Sequence, residues 1–259
     1  MKVILATLMS LVWMGASCSP IRANIGGMHS SFVPYGGGED VFYVTNGLIA
    51  MWDGEWNAGL GLHDSNAIVW IDLTGNGNNL SEINGTITWG NNFLLSNHGC
   101  IYATDVGFAV NDGKSDRTIE IVSYGARNGA QRVHLTIYNG DSGTWGLGHY
   151  MWTDIQPKAG YSFSSSNLAI AGFPKVKDLC LSKCIRLLGN VCNMTINADT
   201  YAESTRMNYT SRRLFVGNAP NSTFDDEVRV YCVRIYDRVL TDEEVSWNFS
   251  IDKKRGFGL

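Results

Sequence analysis

Residues 228–247 read VRVYCVRIYDRVLTDEEVSW. The first nine are β-branched and aromatic, the composition strands prefer. Alternation places Tyr231, Val233 and Ile235 on one face and Val230, Cys232, Arg234 and Tyr236 on the other. Both sets are largely apolar. The segment therefore reads as a central strand, with one face on the core and the other lining a partly covered surface. Thr241 then caps a short helix. Glu244, three residues later, completes a capping box, and Leu240 and Val245 suit a hydrophobic staple. Asp242 and Glu243 sit where the helix dipole favours negative charge, so capping accounts for the acidic cluster.

Outward from this stretch, short strand-like runs recur at 41–45, 47–53, 67–73, 86–90, 100–105, 118–125, 132–139, 148–154, 167–173, 184–189, 194–201 and 212–218. Gly-Asn and Asn-Asp-Gly turns separate several of them. Thirteen such runs and one helix predict an all-β fold, a two-sheet antiparallel jelly-roll sandwich. With 259 residues the chain has room for one large β domain, placed at 41–259. Residues 19–40 contain SSFVPYGGGED, the Pro and Gly of a linker or arm. Charged residues make up only 17% and hydrophobic residues 44%, which excludes a disordered chain. The net charge of −4 and the lack of a basic patch exclude nucleic acid as a partner.

Residues 1–18 have a different character. Lys2 precedes the apolar run VILATLMSLVWMG, too short to span a bilayer comfortably, and Gly15, Ala16 and Ser17 follow. This is the pattern of a secretory signal peptide, or of a lipoprotein signal with Cys18 as the lipid anchor. Either implies a secreted or cell-surface protein; membrane contact is expected only through that segment. Export permits disulfides. Cys180, Cys184 and Cys192 cluster without a nearby His or fourth Cys, which argues against zinc and for a local disulfide joining Cys192 to Cys180 or Cys184.

GLIAMWDGEWNAG, with WIDLTGNGNNLS, resembles the opening of laminin-G-like domains of the concanavalin A-like lectin/glucanase superfamily. The turn is carried by Asp72, Gly75, Asn76 and Asn79. RRLFVGN is similar to the penultimate strand of that family, and VRIYDRVLTDEEV to its last strand and helix. The resemblance covers residues 43–250 and is closest to versions in exported bacterial surface proteins and phage structural proteins. It implies a jelly-roll sandwich, frequent calcium, and carbohydrate or protein binding.

Residues that carry chemistry are sparse. Glucanases of the superfamily place carboxylates as Glu-x-Asp-x-x-Glu on one strand face. Here Glu120 has no acidic partner at 122 or 125, and Asp225, Asp226 and Glu227 are consecutive. Nucleophile-elbow, zincin and phosphate-loop motifs are missing, so a non-catalytic module is expected. Asp72, Asn76 and Asn78 supply oxygens at calcium-like spacing, yet Asn and Gly are also what tight turns require. Trp52 and Trp70 stand in core-like surroundings. Trp56, in DGEWNAG, lies close to His63 and Asp64 and reads as a partly exposed ring with polar neighbours, the makings of a sugar site at an edge loop. Trp145, Tyr150 and Trp152 form a second candidate group, for ligand contact or for packing between the sheets. The function expected is binding of a glycan or cell-surface polysaccharide. The alternative is a structural or adhesive protein-binding module on a cell surface or virion, and a glycoside hydrolase stands third.

Overall fold

The computed structural model describes residues 42–110, 112, 114–125, 132–137, 147–151, 157–161, 167–169, 179–189, 191–205, 211–218 and 227–259. The signal segment, Cys18 and residues 19–40 lie outside them. Among the described residues the strands, in chain order, are β1 (Leu48–Asp53), β2 (Glu82–Trp89), β3 (Leu94–Ala103), β4 (Arg117–Gly125), β5 (Arg132–Ile137), β6 (Leu147–Met151), β7 (Pro157–Tyr161), β8 (Asn167–Ala169), β9 (Leu179–Leu188), β10 (Val191–Ile196), β11 (Asp199–Thr205), β12 (Leu214–Gly217) and β13 (Val228–Tyr236). They are followed by helix α1 (Asp242–Lys254). The strands form one continuous antiparallel sheet, β11-β10-β9-β4-β13-β3-β12-β5-β6-β7-β8, with β1 paired to β13 and β2 to β3. Folded over at β13, its halves β1-β13-β4-β9-β10-β11 and β2-β3-β12-β5-β6-β7-β8 are the two sheets of the sandwich. The expected two-sheet jelly-roll sandwich with a single C-terminal helix is the architecture found.

The two sheets share a corner in β13. Val228–Val230 pair with Leu94–Ser96 of β3. Past an irregularity between Val230 and Cys232, the strand pairs with β1 instead, from Cys232↔Asp53 to Tyr236↔Leu48. A bulge that bends a strand lets it serve both sheets. It also shifts the alternation. Val228, Val230, Val233 and Ile235 all enter the core between the sheets. Tyr231 joins Cys232 on the outer face. The sequence reading had grouped Tyr231 with Val233 and Val230 with Cys232, because strict alternation cannot anticipate an extra residue. Two expected strands are also not strands: 42–45 has no sheet partner, and 67–73 contributes only the bridge Trp70↔Leu80.

Alternation on β9 explains a second difference. Leu181, Ile185 and Leu187 face the core. Cys180 and Cys184 face outward. Cys192 of β10 sits opposite Leu187 and shares its inward face. The expected disulfide from Cys192 to Cys180 or Cys184 would have to pass through the sheet, and the Cys180 and Cys184 thiols are free and buried. Lys183 also points inward, beside Ile121 and Ile196, and is fully buried. Burial pulls its ammonium down to about 7.

The outer face of the β13 sheet is covered by α1, by the entering segment at Tyr43 and by the C-terminal Phe257. The contact is strongly polar. Arg234 and Glu120 are direct cross-strand neighbours, joined Nε to Oε2 at 2.8 Å. Arg234 then reaches α1 with both Nη atoms, donating to Asp252 Oδ1 at 2.7 Å and Oδ2 at 2.8 Å. Tyr43 donates to Asp252 (2.8 Å), and its ring lies 4.1 Å from the Arg234 guanidinium carbon. Asn248 donates to Glu120 (2.8 Å) and to the Tyr236 hydroxyl (3.0 Å) and accepts from the Val44 amide (2.9 Å). Arg255, just past the helix end, grips both oxygens of Asp53 on β1 and Glu55 Oε2 at 2.7 Å. Burial opposes the Arg234 charge, but Asp252 and Glu120 outweigh it and hold its pKa well above the usual value.

Two outcomes are expected. Asp252→Ala should lower the unfolding free energy by about 3–5 kcal/mol, because it strips both Nη bonds from a buried guanidinium and leaves it only Glu120. A loss under about 1 kcal/mol in urea denaturation would show that α1 is not held this way. The Lys183 sign is also fixed. A depressed folded-state pKa contributes stability that is complete above the ordinary value near 10.4 and is lost as pH falls toward 7. The stability of the wild type relative to Lys183→Met should therefore climb by about 1.4 kcal/mol per pH unit between 7 and 10. A flat difference would contradict the buried placement.

Candidate functional site

The loop after β1 holds Trp56, His63 and Asp64 together. It leaves the sheet at Gly54, which packs against the Asn92 and Phe93 backbone so closely that a Cβ would lie 2.6 Å from Asn92 O. Buried Asn57 closes the loop, its Nδ2 donating to Asp64 O (2.7 Å) and its Oδ1 accepting from Asp64 N (2.8 Å). His63 Nδ1 lies 3.1 Å from Gly54 O, and Asp64 Oδ1 accepts from Asn66 N at 2.8 Å. His63 and Asp64 are exposed on this braced frame. Trp56 is beneath it, only 9% exposed, with the Arg255 guanidinium carbon 5.2 Å from its ring. The ring expected as a platform is a structural layer over the Arg255–Asp53 pair. The exposed apolar groups nearby are aliphatic: Leu60, Leu62 and Ile68.

The loop proposed for calcium is also built from the expected residues, but as a hydrogen-bonded turn. Asp72 Oδ1 accepts from Met51 N (3.1 Å) and Thr74 N (3.0 Å), and Oδ2 from Asn78 N (3.1 Å) and Asn78 Nδ2 (3.0 Å); Thr74 Oγ1 lies within 2.9 Å of both oxygens. Asn76 and Asn78 both donate their Nδ2 to Ile49 O at 3.0 Å. Gly75 and Gly77, each at φ 80°, allow the reversal. The Asp72 carboxylate is turned inward and accepts from these internal donors. Among the described residues no His, Cys, Asp and Glu cluster fits a metal.

Of the second candidate group, Tyr150 lies in β6 opposite Val133 of β5 and Lys158 of β7. Trp145 and Trp152 fall outside the described residues.

Among the described residues an exposed indole stands elsewhere. Trp247 on α1 is 51% exposed. The helix buries Val245, Asn248, Ile251 and Asp252, and its opposite stripe carries Asp242, Glu243, Ser246, Trp247 and Ser250 around a shallow depression of about 470 Å³. The spacing is helical, with 242, 246 and 250 in one row and 243 and 247 in the next. Trp247 Nε1 donates to Phe42 O at 2.8 Å, so the ring is held and turns a face to solvent. Arg186 Nη1 meets Asp242 Oδ1 at 2.5 Å. The sequence contained a signal for this. Once Thr241 starts the helix, residue 247 falls away from the 245/248/252 side, and a helical count would have put the indole outside.

No family model and no curated protein matches the chain. Solved structures do. Trypanosoma rangeli sialidase matches at 13% identity and TM-score 0.61, over 83% of this chain and 34% of the sialidase. The binding domain of Paraclostridial Mosquitocidal Protein 1 matches at 14% and 0.52, over 80% and 52%. A structure of botulinum neurotoxin type C, whose cell entry depends on interaction with two ganglioside molecules, matches at 10% and 0.58, over 79% and 51%. The chain spans about a third of the sialidase and half of the toxin chains. What it shares with them is the β-sandwich.

The Asp72 turn yields a direct test. Asp72→Ala should cost about 2–4 kcal/mol, since several buried donors lose a charged acceptor, while chelator should leave the thermal midpoint of the wild type unchanged. A chelator-induced drop would show that the loop holds a cation after all.

Proposed function

We propose that this chain is a non-catalytic, lectin-type carbohydrate-binding module, laminin-G-like within the concanavalin A-like superfamily, on an exported or surface-displayed protein. The observation that carries the reading is Trp247. It is a fixed, half-exposed indole bordered by hydroxyl and carboxylate oxygens, and a sugar needs a ring face to stack on and polar groups around its rim. The sandwich is compatible with this use: a structure of botulinum neurotoxin, whose cell entry depends on interaction with ganglioside molecules, shares it. Export rests on the signal-like residues 1–18. Catalysis is not part of the proposal. Of the buried acids in the described residues, Glu120 and Asp252 are held by Arg234, Asp53 by Arg255, and Asp72 by its own turn.

A second reading, an adhesive module that binds protein, is favoured by Leu60, Leu62 and Ile68, exposed on the braced loop that also presents His63 and Asp64.

A glycan array separates these readings. The wild type should bind, and Trp247→Ala should weaken binding by about 1–2 kcal/mol, the range for uncovering part of an aromatic face, with the fold intact by circular dichroism. His63→Ala and Asp64→Ala should leave binding unchanged; the reverse pattern would move the ligand to the loop. A folded wild type that binds no glycan would overturn the carbohydrate reading.

A further inference from the structure

We infer that the α1 depression selects a neutral hexopyranose and discriminates against sialylated or otherwise anionic sugars; this rests on the glycan-binding reading above. The polar groups around Trp247 decide it. Asp242 and Glu243 are both exposed, and their carboxylates only accept hydrogen bonds. Ser250 already donates its hydroxyl to Trp247 O at 2.7 Å, so toward a ligand it offers lone pairs. The indole N–H is spent on Phe42 O. Ser246 is left as the hydroxyl free to donate. The cations on this side of α1 are Arg186, Lys253 and Lys254, and none of them lines the depression. Arg186 is committed to Asp242 and the Leu240 carbonyl, with a side chain only 12% exposed, and Lys253 lies 4.9 Å over the Phe249 ring, a turn beyond Ser250. The positive end of the α1 dipole is answered by Asp242, Glu243 and Glu244.

A ring of acceptors suits a ligand that brings donors, and the hydroxyls of a neutral sugar are donors. A sugar carboxylate would need a guanidinium, an ammonium or a set of amide N–H groups. It would instead meet two negative charges at the rim. Two such repulsions at about 5 Å in water amount to roughly a tenfold loss in affinity. A sialic acid is then the wrong ligand for this surface.

The test uses the full chain and a matched pair of ligands, a sialylated oligosaccharide and the same oligosaccharide after desialylation, titrated at low and high salt. The neutral ligand should bind about tenfold more tightly at low salt. The gap should narrow at high salt as the charges are screened. It should also narrow in Asp242→Asn, which frees Arg186, and in Glu243→Gln, which touches no partner among the described residues. Trp247→Ala should weaken both ligands alike. A wild type that prefers the sialylated ligand, or a gap indifferent to salt and to both substitutions, would overturn the charge selection while leaving glycan binding in place. If the folded wild type binds neither ligand, both the selection and the reading beneath it fail.

Discussion

The Arg234–Asp252 pair, completed by Glu120, is the interaction on which the outer layer depends. It joins a central strand to its neighbour and to the helix that follows it. Taking such charges out of water costs several kcal/mol each, and their attraction recovers this only when every donor and acceptor is matched. Here the matching is nearly complete. Both Asp252 oxygens accept from Arg234; Tyr43 adds a bond to one and Ser182 to the other. Two of the four positions α1 buries are polar, Asn248 and Asp252. An apolar stripe could slide by a turn and still bury its area. A bidentate guanidinium–carboxylate contact cannot, so the network fixes where the helix lies more than how strongly it adheres.

That position fixes the candidate site. Asp252 and Asn248 face the sheet, so the stripe from Asp242 to Ser250 must face solvent. Arg255 locks the far end of the helix onto Asp53, and the Thr241–Glu244 capping box, with Arg238 on the Glu244 carboxylate at 2.6 Å, locks the near end. Trp247 is then oriented by one bond to the Phe42 carbonyl. The same guanidinium that secures the helix end lies over Trp56 and removes that ring from the surface. One tryptophan is buried and the other displayed as consequences of the same docking.

The elements read well from sequence were those written in neighbouring residues. The Thr241 cap, the Glu244 return and the staple of Leu240 with Val245 all lie within six positions, and all are present. What was missed depends on residues far apart in the chain. Glu120 meets Arg234 across 114 positions, and Asp53 meets Arg255 across 202. Nothing local to Trp56 announces a guanidinium from the far end of the chain. The inward and outward sets of β13 were misassigned because its bulge answers to two partner strands, β3 and β1. Asp72, Asn76 and Asn78 were correctly expected to converge. Their role was ambiguous because a turn and a cation both ask for oxygen atoms at short spacing, and only the direction of the Asp72 carboxylate distinguishes the two.

The direction of that carboxylate bears on how the sandwich could bind anything. Loops after β1 are braced by groups hidden inside them, Asn57 across to Asp64 and Asp72 across to Asn78. The helix carrying Trp247 is braced by buried charge in the same way. In each case folding has already ordered the backbone that presents the exposed side chains. A ligand arriving at such a surface bears little of the ordering entropy that a mobile loop would impose. This matters most for sugars, whose contacts are individually weak and whose hydroxyls must first give up water. On the proposed carbohydrate reading, a rigid indole with fixed acceptors beside it would convert a modest stacking energy into usable affinity and place the choice among sugars in the charges around the ring.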